Sequence, residues 1–275
     1  MSETVPEPTC APAGEIPMTE EQRFFFDLKG WLLIPGVLEE GELEEMREHL
    51  RVLRSEPDKL APEDRFGYAG PISRLHDHPA VVGVLRRIVG SDVSGDAYGF
   101  RLDGNYIQYR KAGDTGIGPH GGGPRVGPNA YQCKNQKIYS ALTRVVWELN
   151  EVEAGKGGTL LMSGSHKSNF NVPEEHMNTD SPLFEAYSCP PGSILFFTEN
   201  LCHSGATWRM SHPRLAVFNC YTHHQAQYHK QSWNAATIAG WPAKRQTLVR
   251  GVWAADFNTD PPTLNDWYGE DNRAF

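Results

Sequence analysis

The strongest constraint on the fold is a change of hydrophobic rhythm near Tyr98. Before it, apolar residues recur at helical spacing. After it, the chain breaks into short β-like runs separated by Gly, Pro, Asn and Asp. Thr19-Glu20-Glu21-Gln22 precedes Phe24, Phe25, Phe26 and Leu28, which predicts a helix with a capping Thr and first-turn acids that suit its positive end. Gly30 ends it, and Trp31 to Ile34 reads as a short buried strand. Glu39 to Arg54 predicts a second helix, with Leu43, Met46, Leu50 and Leu53 on its apolar face, and Pro79 to Val89 a third. The β-like runs are Asn105–Tyr109, Tyr139–Leu149, Thr159–Met162, Ser193–Phe197 and Ala216–Tyr221. Helices followed by many short strands predict a mainly β molecule with flanking α. The expected core is a double-stranded β-helix, of jelly-roll or cupin-like form, with the helices packed outside.

A chain of 275 residues fits one such domain. No internal repeat or Gly/Ser linker divides it. Residues 1–17 carry Glu3, Glu7 and Glu15 among prolines and lack the apolar stretch of a signal peptide, so they read as a disordered arm. Residues 18–275 then form the single domain, and 233–275, rich in Trp and Pro, are expected to wrap the barrel or cover its mouth. The formal net charge of −8 argues against general affinity for nucleic acid or an anionic membrane. No run of about 18 apolar residues exists to span a bilayer. Five cysteines without a CxxC pair fit reduced thiols and a cytoplasmic setting better than a disulfide framework. Oligomeric state is not encoded legibly.

Among the 11 histidines, the useful pattern is one that converges on a metal. A facial iron site on a β-barrel uses a His and a carboxylate two residues apart, plus a second His much later. The short spacing works because alternate residues of an extended strand share a face. His120 and His203 have suitable contexts, each near a strand end among glycines that permit close approach.

The segments Met18–Leu50, His120–Gly122, Gly157–Lys167 and His203–Arg214 together resemble the phytanoyl-CoA dioxygenase-like family of iron(II)/2-oxoglutarate enzymes. The strongest parts are Gly164-Ser165-His166-Lys167, the strand Gly192 to Phe197, and His203 followed by Arg214. The resemblance implies Fe(II), 2-oxoglutarate and O2 as cofactors, His203 as an iron ligand and Arg214 as the clamp on the distal carboxylate of 2-oxoglutarate. A hairpin is expected to bring Arg214 onto the strand next to His203, where its guanidinium meets a carboxylate as a fork.

One departure stands out: the family normally reads His-x-Asp, whereas this chain reads His120-Gly121-Gly122. It resembles in this respect the iron/2-oxoglutarate halogenases, where Gly or Ala replaces the Asp and chloride binds iron directly. Gly122 is then the vacant carboxylate position and the chloride site, with His120 and His203 as the protein ligands. The expected reaction is chlorination of an unactivated carbon of a small natural-product precursor, as in antibiotic biosynthesis, including a purine nucleotide such as deoxyadenosine monophosphate. In the alternative, water or a carboxylate from elsewhere, such as Asp114 or Glu199, takes the vacant position and the chain is a hydroxylase. A second alternative is a non-catalytic jelly-roll binding protein. Arg110, Lys111, Arg125, Lys134 and Lys137 cluster in sequence around His120 and are candidates to grip a phosphate or carboxylate. Trp147 and Trp208 are candidate pocket aromatics. His166 is expected to serve its loop, and adjacent His223 and His224 face opposite ways on a strand.

Overall fold

A computed structural model describes residues 14–90, 97–127 and 130–252. Helix α1 (Glu20–Lys29) starts where expected: Thr19 accepts from the Gln22 backbone N–H, and the Gln22 side chain accepts from the Thr19 N–H. Gly30 ends it at φ 84, and a side chain there would lie 2.6 Å from His166 Nδ1, so only glycine serves both the turn and the packing. Helix α2 (Glu40–Ser55) buries Leu43, Met46, Leu50 and Leu53 on one face. Helix α3 (Pro79–Ile88) opens on a proline that lacks the N–H a first turn leaves unpaired.

Five strands form the large antiparallel sheet: β1 (Trp31–Ile34), β2 (Phe100–Arg110), β5 (Thr143–Glu148), β7 (Ser193–Thr198) and β9 (Arg214–His223), in the order β1-β7-β5-β9-β2. A hairpin of β3 (Tyr131–Lys134) and β4 (Lys137–Ser140) stands beside it. A small second sheet pairs β6 (Thr159–Met162) with β8 (Cys202–Gly205), and an isolated bridge adds His120 to β8. The expected jelly-roll with helices outside is what the chain forms.

Strand alternation divides the large sheet into two faces, each with its own core. On the outer face Leu32, Val145, Trp147, Ile194, Phe196, Leu215, Val217 and Tyr221 pack with the apolar sides of the helices. On the inner face Val146, Leu195, Phe197, Ala216 and Phe218 pack with Leu161 of the small sheet. Each large apolar side chain so buried contributes about 1.5–3 kcal/mol.

Two strand boundaries differ from expectation for local reasons. Strand β2 begins at Phe100, ahead of Asn105, because a bulge at Asp103 carries the ladder past Gly104. The run Tyr139–Leu149 is two strands, since the Thr143 hydroxyl donates to the Ser140 carbonyl at 2.7 Å and turns the chain. The connection from β8 to β9 also differs: it crosses from the small sheet to the large one, so Arg214 faces His203 from the opposite wall and is not on a neighbouring strand.

Residues 1–13 of the expected arm lie outside the described residues, while Ile16 donates its N–H to Pro79 and Glu15 pairs with Arg86 at 3.1 Å. Of the tail, 253–275 lie outside the described residues. Helices α4 (Ala235–Ala239) and α5 (Ala243–Gln246) follow Trp233, which meets Tyr68 edge-on at 4.9 Å. Arg245 pairs with Asp77 at 2.7 Å, so 233–252 wrap the helical side.

Candidate metal centre

His120 and His203 come together through backbone. Each N–H donates to the other's carbonyl, at 3.0 and 2.9 Å. Their rings stand 4.1 Å apart, centroid to centroid. Both rings are oriented in the same way: Nδ1 of His120 faces the Gly118 carbonyl at 2.8 Å, and Nδ1 of His203 faces the Leu201 carbonyl at 2.8 Å. A carbonyl only accepts, so each Nδ1 carries the proton and each Nε2 keeps its lone pair. That is the tautomer a metal requires.

The third group is Glu199, in the tight turn between β7 and β8. One ligand atom from each of His120, Glu199 and His203 lies within 4.8 Å of the others, the only such three-residue His/Cys/Asp/Glu set among the described residues. Glu199 Oε1 accepts from Arg144 Nε, and Oε2 sits 3.9 Å from His203 Nε2. Burial alone would raise the Glu199 carboxyl, but Arg144 and then His203 outweigh it and the net shift is downward. Burial pushes the His203 imidazole down to about 4, so it is neutral at physiological pH. An anionic Glu199 carboxylate and the Nε2 atoms of the two imidazoles form a donor set that fits a divalent cation.

The three residues open on a cavity of about 160 Å³, lined also by Tyr106, Gln108, Arg144, Thr159, Phe197, Arg214 and Phe218. The register explains this lining: Tyr106 and Gln108 of β2 lie opposite Phe218 and Ala216 of β9, all on the inner face. Arg214 is 1% exposed and heavily engaged. It pairs through Nε and Nη2 with Glu148, donates from Nη1 to Gln108 at 2.7 Å, and from Nη2 to Thr159 at 3.1 Å. A cationic group on the wall of a cavity that also holds the donor set suits a dicarboxylate such as 2-oxoglutarate.

Other candidate residues fall elsewhere. Gly122 has φ 76, and a side chain there would meet Cys202 Cβ at 2.9 Å and Val172 at 3.0 Å; the glycine does not line the cavity. Asp114 accepts the Lys111 N–H in its own loop. Trp147 alternates onto the outer face, fully buried, its ring 5.2 Å from that of His78. Trp208 is buried in the inner core and donates to the His212 carbonyl at 2.6 Å. Lys134 and Lys137 flank the exposed tip of the β3–β4 hairpin, away from the lining, and Lys111 and Arg125 are exposed. His166 meets the Asp27 carbonyl at 3.1 Å and ties its turn to α1, the loop role expected of it. His224 Nδ1 meets the Gly99 carbonyl at 3.0 Å, and neither it nor His223 lines the cavity. A larger groove of about 420 Å³ beside α2, lined by Arg47, Arg51, Arg54 and Tyr109, holds none of the donor set.

Sequence reasoning held Glu199 only as an alternative and missed Glu148. The available signal for Glu199 was its position four residues before His203 across a turn.

The phytanoyl-CoA dioxygenase (PhyH) family pattern matches residues 26–216. No curated protein sequence matches the chain. Among solved structures, HygX from Streptomyces hygroscopicus with nickel and 2-oxoglutarate bound superposes with a TM-score of 0.62 at 22% identity, over 74% of this chain and 87% of that one. The non-haem α-ketoglutarate-dependent epimerase SnoN from nogalamycin biosynthesis gives 0.52 at 16% identity, over 75% and 81%. The non-haem monooxygenase ThoJ in its nickel complex gives 0.51 at 16% identity, over 74% and 78%. The chain belongs to the phytanoyl-CoA dioxygenase family of non-haem iron and 2-oxoglutarate-dependent oxidoreductases.

Proposed function

We propose that the protein is an iron(II)/2-oxoglutarate oxygenase of the hydroxylating type, with His120, Glu199 and His203 as its metal ligands and a small organic molecule as substrate. The observation that carries this reading is the Glu199 carboxylate beside the two histidines. The carboxylate absent from Gly122 is replaced in space, though not in sequence.

When bound, the iron and 2-oxoglutarate would supply the electrons that activate O2, the oxidant of the reaction. The chain's own part is positional. The Gly118 and Leu201 carbonyls fix the two imidazoles, and Arg144 fixes one oxygen of Glu199 while the other stays free. Arg214 keeps a cation on the same cavity wall. Tyr106 and Phe218, stacked at 4.7 Å, give the wall a flat apolar surface against which a ring or hydrocarbon can rest. The described cysteines are all free, which supports the reducing, cytoplasmic setting that an iron(II) enzyme needs.

Halogenation is the second reading, favoured by the missing carboxylate of His120-Gly121-Gly122. Against it stands the side-chain space of Gly122, which Cys202 and Val172 already fill, and the negative charge that Glu199 already brings. Anaerobic titration with iron(II) and 2-oxoglutarate, with and without chloride, separates the two. The oxygenase gives a chloride-independent visible band, and Glu199→Ala lowers iron affinity more than about tenfold. A chloride-dependent band that survives Glu199→Ala would instead establish the halide site. Succinate release across a substrate panel that includes nucleotide monophosphates then tests the substrate class.

A further inference from the structure

The groove of about 420 Å³ between helix α2 and the outer face of the large sheet has the size of a small-molecule site, which is about 300–1,000 Å³. Arg47, Leu50, Arg51 and Arg54 stand at positions i, i+3, i+4 and i+7 of α2, so they share one helical face and supply one wall. Tyr109 of β2 and Leu215 of β9, opposite each other in the ladder, supply the other. Leu50 and Leu215 are buried and give the groove an apolar base. Among the described residues, no carboxylate lines it.

The three guanidinium groups are not equivalent. Arg47 donates to the Leu149 carbonyl at 3.0 and 2.8 Å and pairs with Glu40 and Glu44. Arg51 forks onto Glu48 at 2.7 Å and faces Glu56 at 3.6 Å. Arg54 makes neither an ion pair nor a hydrogen bond among the described residues. Its guanidinium lies over the Tyr109 ring instead, 3.6 Å from the centroid. That cation–π contact holds the group in place and consumes none of its five N–H donors. The Tyr109 hydroxyl likewise has no hydrogen-bond partner among the described residues. The Ser55 hydroxyl, by contrast, already donates to the Arg51 carbonyl at 2.7 Å.

We propose that this groove is a second binding site, which takes a small amphipathic anion. Its carboxylate or phosphate head meets Arg54 and the Tyr109 hydroxyl, because a guanidinium with all its donors idle selects such a group. Its hydrocarbon or aryl body covers Leu50 and Leu215. The site stands back to back with the metal cavity. Gln108 and Arg110, on either side of Tyr109, point to the inner face, where Gln108 lines the cavity and Arg110 donates to the Ala206 carbonyl at 2.7 Å. Arg214, next to Leu215, lines the cavity too. The groove needs no metal, so the proposal does not rest on the oxygenase reading above.

The test compares 4-phenylbutyrate with 4-phenylbutan-1-ol, which has the same apolar body and a neutral head. Chemical-shift titration of the isotope-labelled full-length protein, metal-free and loaded with nickel(II), gives both affinities and the place of binding. Wild type should prefer the acid by about 10- to 100-fold, the range for charge-assisted hydrogen bonds. The amides of Tyr109 and Leu215 should shift most, equally with and without nickel(II). Arg54→Gln, a change at an exposed side chain, should collapse the preference to within about threefold and leave the alcohol unaffected. Equal affinity for acid and alcohol, or binding of neither, overturns the proposal. A preference that survives Arg54→Gln overturns it as well. So do shifts centred on His120 and His203 that require nickel(II), which would place the anion in the metal cavity.

Discussion

Arg144 Nε donates to Oε1 of Glu199 and leaves Oε2 facing His203. The two side chains come from strand β5 and the turn after β7, neighbours in the large sheet, so a sheet contact becomes a control on the proposed metal ligand. Because Arg144 holds the carboxyl below its ordinary value, Arg144→Met should raise it, and metal binding should then fail at a higher pH on acidification than in wild type. Metal titrations across pH 4 to about 8 check this. Superimposable profiles would mean that Arg144 does not tune Glu199.

Gly122→Asp restores the family's sequence motif without restoring its geometry. The new side chain would point at Cys202 and Val172 from a backbone at φ 76. We expect a stability loss of about 1–3 kcal/mol from the left-handed backbone and the overpacking, with iron affinity unchanged. Denaturant midpoints and metal titration read the two effects separately. A gain in iron affinity would place the Asp carboxylate among the ligands after all.

Burial holds His166 and His203 at about 4 and His76 at about 3. In the unfolded chain each returns to about 6.5. Below that pH the unfolded chain binds protons that the folded one refuses, so the stability present above about 6.5 is lost as pH falls toward 4. Each such histidine contributes a slope of up to about 1.4 kcal/mol per pH unit. Denaturation of the metal-free protein at pH about 7.5 and 5 should show the loss, and His166→Gln should lessen it by the share of one such histidine. A flat wild-type profile would be incompatible with neutral buried imidazoles.

Trp147→Ala should cost about 3–5 kcal/mol, because the indole fills the outer core. Trp147→Phe should leave the KM for 2-oxoglutarate unchanged, since the side chain faces away from the cavity. Steady-state kinetics beside thermal unfolding distinguish this from a pocket role, which would move KM first.

Much of this was legible in the chain because local rules decided it. The Thr19 cap, the Gly30 stop and the buried stripe Leu43, Met46, Leu50 and Leu53 follow from spacing alone. His120 and His203 were readable from their glycine-rich contexts and the family resemblance. The carboxylate proposed as third ligand was not, because the i, i+2 rule searches one strand, whereas Glu199 comes from a turn and pairs with Arg144 on another strand. The same limit applies to Arg214. Its type suggested a carboxylate partner, but nothing local indicates that Glu148, far away in sequence, also pairs with it. Trp147 misled for a simpler reason: a one-residue shift in alternation decides between the cavity and the helix-covered face.

The reciprocal backbone bonds between His120 and His203 make the spacing of the two imidazoles a property of main chain and not of rotamers. Such a seam cannot be loosened gradually. If the segment before His120 swings away to admit something large, both bonds break together and the centre comes apart at once. Retention of a metal bound at the proposed centre would thereby report on whether that seam is closed.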